Sequence, residues 1–199
     1  MISRRSNYAG TYSCSKNGMI KMPTPLDDFQ AQVRSILHEL GIAEDMPAAR
    51  GLVLWSPPSE LVVAEIAANG KEFLLTPEAS SAWHKLRTAA ADDCIELQMI
   101  SAYRSLEHQA AIIRHKLERG QSLDNILKVL APPGYSEHHS GTAIDIGAPG
   151  CLPVDERFDT IPSYGWLSEY ANSFGFFLSF PKDNPFGYIY EPWHWRFRA

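Results

Sequence analysis

The stretch SEHHSGTAID, residues 136–145, sets two adjacent histidines and an aspartate among small, turn-prone side chains. Histidine and aspartate are both zinc ligands, and a catalytic zinc site uses three protein ligands and keeps a further position open. His138 and Asp145 are seven residues apart, so on an uninterrupted strand they would point to opposite faces. We therefore predict a turn or bulge at residues 140–142, where serine, glycine and threonine follow one another.

The two adjacent histidines cannot both serve such a site. Neighbouring side chains on an extended backbone diverge, so only one of His138 and His139 can readily face a bound ion. The residues alone leave that choice open. Beyond the predicted break, Ala143 shares a face with Asp145 and is small enough to leave room beside an ion.

A second block, EPWHWR at residues 191–196, combines a carboxylate with another histidine. Glu191 and His194 are three residues apart and come together only if the backbone turns, and Pro192 disfavours a regular interior strand at that point. A histidine ligand beside a free carboxylate suits metal-assisted hydrolysis, because the carboxylate can take a proton from water and pass it to a leaving amine.

The composition is that of a globular protein. With 199 residues and 45% hydrophobic content, the chain is long enough to bury one substantial core. A formal charge of -5 and the lack of any Lys/Arg-rich run exclude the electrostatic pattern of nucleic-acid binding or of binding to an anionic membrane surface. Three cysteines without CxxC spacing suggest neither a disulfide framework nor a cysteine zinc site.

The sequence suggests neither a membrane span nor an export signal. A membrane helix needs about 20 apolar residues, and no segment approaches this length. The N-terminus has basic residues but no hydrophobic segment behind them. We therefore expect a cytoplasmic location for the sequence as written, or the cell envelope if the chain is exported by another route or its start is misassigned.

The residue pattern predicts a loose leader at residues 1–26 and one domain at residues 27–199, with the motifs in residues 95–199. Polar caps and helical spacing of apolar residues predict helices capped by Asp27 or Asp28, by Thr76 and by Ser105, and a further helix is expected over SYGWLSEYANSFG. A hairpin is expected at Asn69-Gly70, and strands at IELQMIS, GTAIDI, GFFLSF and the C-terminal YIYEPWHWRF. Helices and strands without a regular βαβ alternation indicate an α+β fold.

Taken together, the two blocks resemble the zinc D-alanyl-D-alanine carboxypeptidases of the M15 family. The matched positions are Ser136, His138, Gly141, Ala143, Asp145, Glu191 and His194. The wider segments AYRSLEHQ, WLSEYANSFGFFLSFPK and YEPWHWRF are similar to the VanY-like (M15B) branch, and the similarity covers about half of the chain, from residue 101 onward. The resemblance implies a small antiparallel sheet flanked by helices, as in hedgehog and D-Ala-D-Ala peptidases.

The resemblance also implies a role for each matched residue. One Zn²⁺ ion would take three ligands, which are His138, Asp145 and His194. Glu191 would be the general base, and Arg104, at the end of a strand, would stabilise the oxyanion that develops on the scissile carbonyl. Ser136 and Gln109 match positions associated with substrate contact. The resemblance places His138 on the ligand position and His139 on a variable one.

The implied function is a monomeric zinc metallopeptidase that removes a terminal D-alanine from peptidoglycan stem peptides or other D-Ala-terminated peptides. Within the same family, an L,D-carboxypeptidase, a D,D-dipeptidase and a stem-peptide endopeptidase are alternatives. A zinc-binding module that has lost catalysis is the alternative of another class. The presence of both Glu191 and Arg104 argues against that last alternative.

Overall fold

The computed structural model describes residues 20–21 and 26–199. Its helices are α1 (Leu26–Glu39), α2 (Met46–Ala49), α3 (Pro77–Asp92), α4 (Leu106–Glu118), α5 (Leu123–Ile126) and α6 (Pro162–Tyr170). Its strands are β1 (Ile20–Lys21), β2 (Glu60–Ile66), β3 (Glu72–Leu75), β4 (Gln98–Ser101), β5 (Ala143–Gly147), β6 (Phe176–Leu178) and β7 (His194–Phe197). Short 3-10 helices cover Glu137–Ser140, Glu156–Thr160 and Ala171–Phe174.

The strands form two antiparallel sheets. One sheet has three strands in the order β1-β2-β3, and the other has four in the order β4-β5-β7-β6. Every residue of the central strand β5 is buried, as expected for a short apolar run at the middle of a sheet. The predicted α+β fold with a small antiparallel sheet flanked by helices is confirmed.

Local sequence signals predicted two helix caps and one turn correctly, whereas the C-terminal strand expected over YIYEPWHWRF covers only His194–Phe197. Thr76 and Ser105 accept N-cap hydrogen bonds from the backbone of α3 and α4, as predicted. Asn69-Gly70 lies in the turn between β2 and β3, where Gly70 has a φ of +81°. The predicted cap at Asp27 or Asp28 is wrong. The helix begins earlier, at Leu26, and both aspartates lie in its first turn, where a negative charge is still favourable.

Two clusters of buried residues hold these elements together. The larger cluster packs the four-stranded sheet against α3 and α6 and includes Trp83, Ile144, Phe176 and Trp195. The second cluster joins α1 to α4 and α5, and its members include Phe29, Val33, Leu37, Ile113 and Ile126. The first half of the chain therefore completes the core around the helix that follows Arg104.

The predicted leader, residues 1–26, lies mostly outside the described residues, and the division into a leader and one domain stays a prediction. Within residues 20–21 and 26–199, no helix is both long and apolar enough to cross a membrane.

The predicted break between His138 and Asp145 is a turn of 3-10 helix that ends at Gly141, where φ is +68°. A Cβ at this position would lie 2.8 Å from Leu61 Cδ2. Leu61 is 1% exposed, so it has little room to yield. The Thr76 amide donates to the Gly141 carbonyl at 2.8 Å, which ties the turn to the start of α3.

We expect Gly141→Ala to lower the free energy of unfolding by about 2 kcal/mol or more, because left-handed strain and a clash with Leu61 act together. Gly150→Ala is the matched control, since Gly150 has a φ of +79° and a Cβ added there would meet no other atom within 4 Å. In this variant only the backbone strain should lower the free energy of unfolding, by about 1 kcal/mol. Urea denaturation of both variants measures the difference, and equal losses would contradict the role given to Leu61.

Candidate active site

The pairing of β5 with β7 brings the two sequence blocks together. Asp145 lies directly opposite His194 in this antiparallel pair, so their side chains are cross-strand neighbours on one face. A backbone hydrogen bond of 3.1 Å from the His194 amide to the Glu191 carbonyl closes the turn predicted around Pro192. Glu191 therefore enters the same site as His194.

The 3-10 helix Glu137–Ser140 supplies His138. Its Nε2 lies 3.3 Å from Asp145 Oδ2, and His194 Nδ1 lies 3.1 Å from Asp145 Oδ1. One ligand atom from each of these three residues lies within 4.8 Å of the other two. All three side chains are buried. The structure thus brings together the three residues that the resemblance implied as zinc ligands.

The donor set fits a metal ion. His138 Nδ1 donates to the Ala102 carbonyl at 2.7 Å, and its Nε2 points to Asp145 Oδ2 at 3.3 Å. A metal ion held between these atoms would take one ligand atom from each residue. Two imidazoles and one carboxylate form a common ligand set for zinc, and the second nitrogen of each histidine is held by an oxygen acceptor, as is usual for metal ligands.

His139 faces away from this group. Its Nδ1 donates to the Arg104 carbonyl at 2.6 Å, and its Nε2 accepts from the Gly134 amide at 3.1 Å. Burial lowers the pKa of His139 to about 4, so the ring is neutral and fixed in one tautomer. The two neighbouring histidines diverge as predicted, and His139 ties together the loops on either side of the site.

Glu137 is a site residue that the sequence analysis missed. Its Oε2 accepts from His194 Nε2 at 2.9 Å, and its Oε1 lies 2.9 Å from Arg196 Nε. Burial acts to raise the pKa of Glu137, but its contacts with His194 and Arg196 lower this pKa to about 2. The sequence offered one sign of this role, which is that Glu137 directly precedes a ligand histidine. The prediction assumed an extended backbone, however, and on such a backbone the side chain of residue 137 would point away from the site.

The buried charges compensate one another. Burial acts to raise the pKa of Asp145, but the imidazoles of His138 and His194 hold it well below its ordinary value. Burial acts to lower the pKa of His194, but its hydrogen bonds to Asp145 and Glu137 raise it to about 10. Binding of a metal by His194 Nδ1 must therefore release a proton.

Glu191 lies at the edge of the ligand group, with Oε2 4.0 Å from His194 Nδ1. Burial raises the pKa of Glu191 to about 7, and the positive charges of His194 and Arg104 oppose this shift. A carboxyl group with this pKa can both accept and donate a proton near neutral pH. Its position and its pKa suit the role of general base.

Arg104 also borders the ligand group, with Nη2 3.9 Å from Asp145 Oδ2. The guanidinium donates to Gln109 Oε1 at 2.8 Å and to Ser101 Oγ at 3.2 Å. Burial lowers the pKa of Arg104, with Asp145 and Glu191 acting in the opposite direction, and a guanidinium remains charged at neutral pH. Arg104 is thus a fixed cation beside the site.

Gln109 lies behind Arg104 and is not among the residues that line the cavity beside the ligand group. Its side chain is fully buried, and its amide nitrogen donates to the Ala131 carbonyl at 2.6 Å while its oxygen holds Arg104. Both polar groups of the side chain are used inside the protein, and the expected contact with substrate stays a prediction. Gln109 instead positions the guanidinium of Arg104.

A cavity of about 390 Å³ opens beside these groups. Arg104, Ser136, His138, Asp145, Glu191 and His194 all contribute to its lining. Apolar lining comes from two parts of the chain, one with Phe180, Tyr188 and Ile189 and the other with Ile112, Val129 and Leu130. Ser136 is 5% exposed and borders the cavity, so its position agrees with the expected substrate contact.

Arg50, from the first half of the chain, holds one of these walls. Its Nε donates to the Phe186 carbonyl at 2.6 Å, and its Nη1 donates to the Leu127 carbonyl at 2.8 Å. The guanidinium carbon also lies 4.4 Å from the centre of the Tyr188 ring. Arg50 thereby fixes the loop that precedes Glu191, a role that the sequence did not indicate.

We expect His138→Ala to lose bound zinc and His139→Ala to keep it, because only His138 faces the ligand group. His139→Ala should instead lower the free energy of unfolding by about 1–3 kcal/mol, since it leaves the Gly134 amide and the Arg104 carbonyl unpaired. Metal analysis after dialysis, together with urea denaturation of the metal-free proteins, separates the two effects. Loss of zinc from a folded His139→Ala protein would contradict this assignment.

Glu137→Gln should weaken zinc binding by about 10- to 100-fold, because a neutral amide supports the His194 ligand less well than a carboxylate. The measurement is competition for zinc against a chelator of known affinity. Glu156→Gln, on the 3-10 helix Glu156–Thr160, is a control for an exposed glutamate in a similar short helix. Equal zinc affinities of native protein, Glu137→Gln and Glu156→Gln would contradict the role of Glu137 in supporting His194.

Comparison with known proteins agrees with this geometry. The family model described as VanY, D-alanyl-D-alanine carboxypeptidase, matches residues 72–199, so the match begins earlier than residue 101 and includes β3 and α3. YodJ of Bacillus subtilis (strain 168) is 30% identical over 148 residues, which are 70% of this chain and 54% of that protein. The chain therefore spans about half the length of this relative.

A second curated relative is VanXYC of Enterococcus gallinarum, a bifunctional D-Ala-D-Ala dipeptidase and carboxypeptidase. It is 30% identical over 149 residues, which are 70% of this chain and 74% of the relative.

Solved structures give the same result. The LD-carboxypeptidase LdcB is 29% identical with a TM-score of 0.63, over 71% of this chain and 69% of that structure. A zinc complex of a mutant of the vancomycin resistance D,D-pentapeptidase VanY is 28% identical with a TM-score of 0.56, over 75% of this chain and 89% of that structure. The chain belongs to the VanY family of D-alanyl-D-alanine carboxypeptidases.

Proposed function

We propose that the protein is a zinc-dependent carboxypeptidase that removes the terminal D-alanine from peptidoglycan stem peptides. One observation carries the proposal: a buried His-Asp-His group, a carboxyl group with a raised pKa and a fixed guanidinium border one cavity. The relatives with D-Ala-D-Ala peptidase activity in their names agree with it. One zinc ion would be held by His138, Asp145 and His194.

When bound, zinc supplies a Lewis acid that polarises the scissile carbonyl. Glu191 Oε2 takes one proton from the attacking water and delivers it to the nitrogen of the departing D-alanine. The new C–O bond forms with the water oxygen as the peptide C–N bond breaks. The raised pKa of Glu191 allows both proton transfers near neutral pH.

Arg104 contributes charge where the reaction creates it. Its guanidinium borders the cavity and is held by Ser101 and Gln109, so it does not need to reorganise when the carbonyl oxygen becomes negative. The apolar walls around Phe180 and Ile189 limit the access of water to the same region. Ser136, which borders the cavity, would contact the peptide backbone or its terminal carboxylate.

An L,D-carboxypeptidase is the second candidate, because the likeness to LdcB extends over most of the chain. A D,D-dipeptidase is favoured in part by the likeness to VanXYC. All of these activities use the same ligand group and differ in the peptide that the cavity accepts. The monomeric state and the place in the cell stay predictions, to be measured by light scattering and by cell fractionation.

The test is release of D-alanine from a stem pentapeptide, a stem tetrapeptide and free D-Ala-D-Ala, with native protein and Glu191→Gln. We expect the pentapeptide to be the preferred substrate, and Glu191→Gln to lower kcat by about 10²- to 10⁴-fold because the proton carrier is lost. Zinc content should be unchanged. Glu44→Gln, an exposed glutamate, is the control.

Full activity of Glu191→Gln would remove the general base from the proposal. Preference for the tetrapeptide would establish the L,D-activity, and preference for the dipeptide would establish the dipeptidase. Bound zinc without hydrolysis of any of the three peptides would favour a non-catalytic zinc-binding module.

A further inference from the structure

A second groove adjoins the cavity of the active site. It has a volume of about 380 Å³ and runs along one face of α4, where it is lined by His108, Ile112, His115, Lys116 and Arg119. Ile112 and Lys116 line both the groove and the active-site cavity. The two spaces therefore meet at these side chains, and a ligand that fills the cavity can continue along α4.

The lining of this groove is cationic. Lys116 and Arg119 are charged at neutral pH, and the lining includes no carboxylate. Among the described residues, neither Lys116 nor Arg119 makes an ion pair. The net charge of the whole chain is -5, so the charge of this patch is opposite in sign to that of the chain as a whole.

The general preference of charged side chains for an exposed helix surface does not explain why the unpaired cations of α4 lie on one face. Basic residues in the last turn of a helix are favoured by the helix dipole, which explains the presence of Lys116. On another face of the same helix, however, two charged residues have partners. Arg114 pairs with Glu39 at 2.7 Å, and Glu107 accepts from Gln32. The unpaired cations are concentrated on the face that extends the cavity.

We propose that this groove is a subsite for a carboxylate on the part of the substrate that remains outside the cavity. The inference rests on the proposed function, since a carboxypeptidase binds the C-terminal end of its substrate in the cavity and the rest of the substrate extends out of it. Residues 112 and 119 are separated by about 10 Å along the helix, which is the length of about three residues of extended peptide. The preferred substrate is therefore an acidic peptide with a free carboxylate about three residues from the cavity.

The chemistry of the two cations suits this ligand. Arginine can bind a carboxylate with two parallel hydrogen bonds, and lysine adds a mobile point charge. Both side chains reach solvent, so each contact is worth little in free energy and is screened by salt. The subsite is expected to act on KM and on its dependence on salt, and to leave kcat nearly unchanged.

The experiment compares two pentapeptides that end in D-Ala-D-Ala and differ only in the residue three positions before the scissile bond, which carries a free carboxylate or the matching carboxamide. Native protein should show a KM about 3- to 10-fold lower for the carboxylate peptide at low salt. Lys116→Glu combined with Arg119→Glu should abolish or reverse this preference. Lys85→Glu, an exposed lysine on α3, is the matched control.

A KM ratio that is the same in native protein and in the double variant would overturn the subsite. If native protein cleaves neither peptide, the proposed function fails. The subsite can then still be tested by titrating each peptide into the zinc-loaded native protein and into the zinc-loaded double variant. The subsite is supported if native protein binds the carboxylate peptide more tightly than the carboxamide peptide and the double variant does not. It is rejected if native protein and the double variant show the same ratio of affinities for the two peptides.

Discussion

The antiparallel pairing of β5 with β7 is the constraint on which the site depends. It sets Asp145 opposite His194, although the two residues are 49 positions apart in the chain. A shift of one residue in this register would turn Asp145 to the opposite face of the sheet and separate it from both histidines. The buried residues on either side of Asp145, Ile144 and Ile146, oppose such a shift because they would have to exchange places with a carboxylate.

The charges at this register position are stable only as a group. Removing a carboxylate from water is unfavourable, and Asp145 is compensated by two imidazoles and by Arg104. Each of these partners is held in turn by a contact farther from the centre, which is the Ala102 carbonyl for His138, Glu137 for His194 and Gln109 for Arg104. The ligand geometry is thus fixed before a metal or substrate binds.

The first half of the chain supports the site although it carries none of the ligands. Helix α1 packs against α4 and α5, so the helix that follows Arg104 is anchored on the side away from the cavity. Arg50 fixes the backbone at Phe186 and the Tyr188 ring, which form the wall that leads to Glu191. A cavity that selects a small peptide end needs rigid walls, and these contacts come from segments without any catalytic motif.

The sequence by itself determined the residue types of the site, the break at Gly141, the turn before His194 and the N-caps of α3 and α4. These features depend on local backbone preferences, which a few neighbouring residues are enough to specify. Only the tertiary structure decided that Glu137 supports His194, that Gln109 is buried behind Arg104 and that Arg50 holds the cavity wall. Except for the pair Arg104–Gln109, these contacts join residues far apart in the chain. The contact of Glu137 with His194 depends on the direction of a side chain in a 3-10 helix, and those of Gln109 and Arg50 depend on how α4 and the loops pack. The periodicities of regular helices and strands carry no information about such directions.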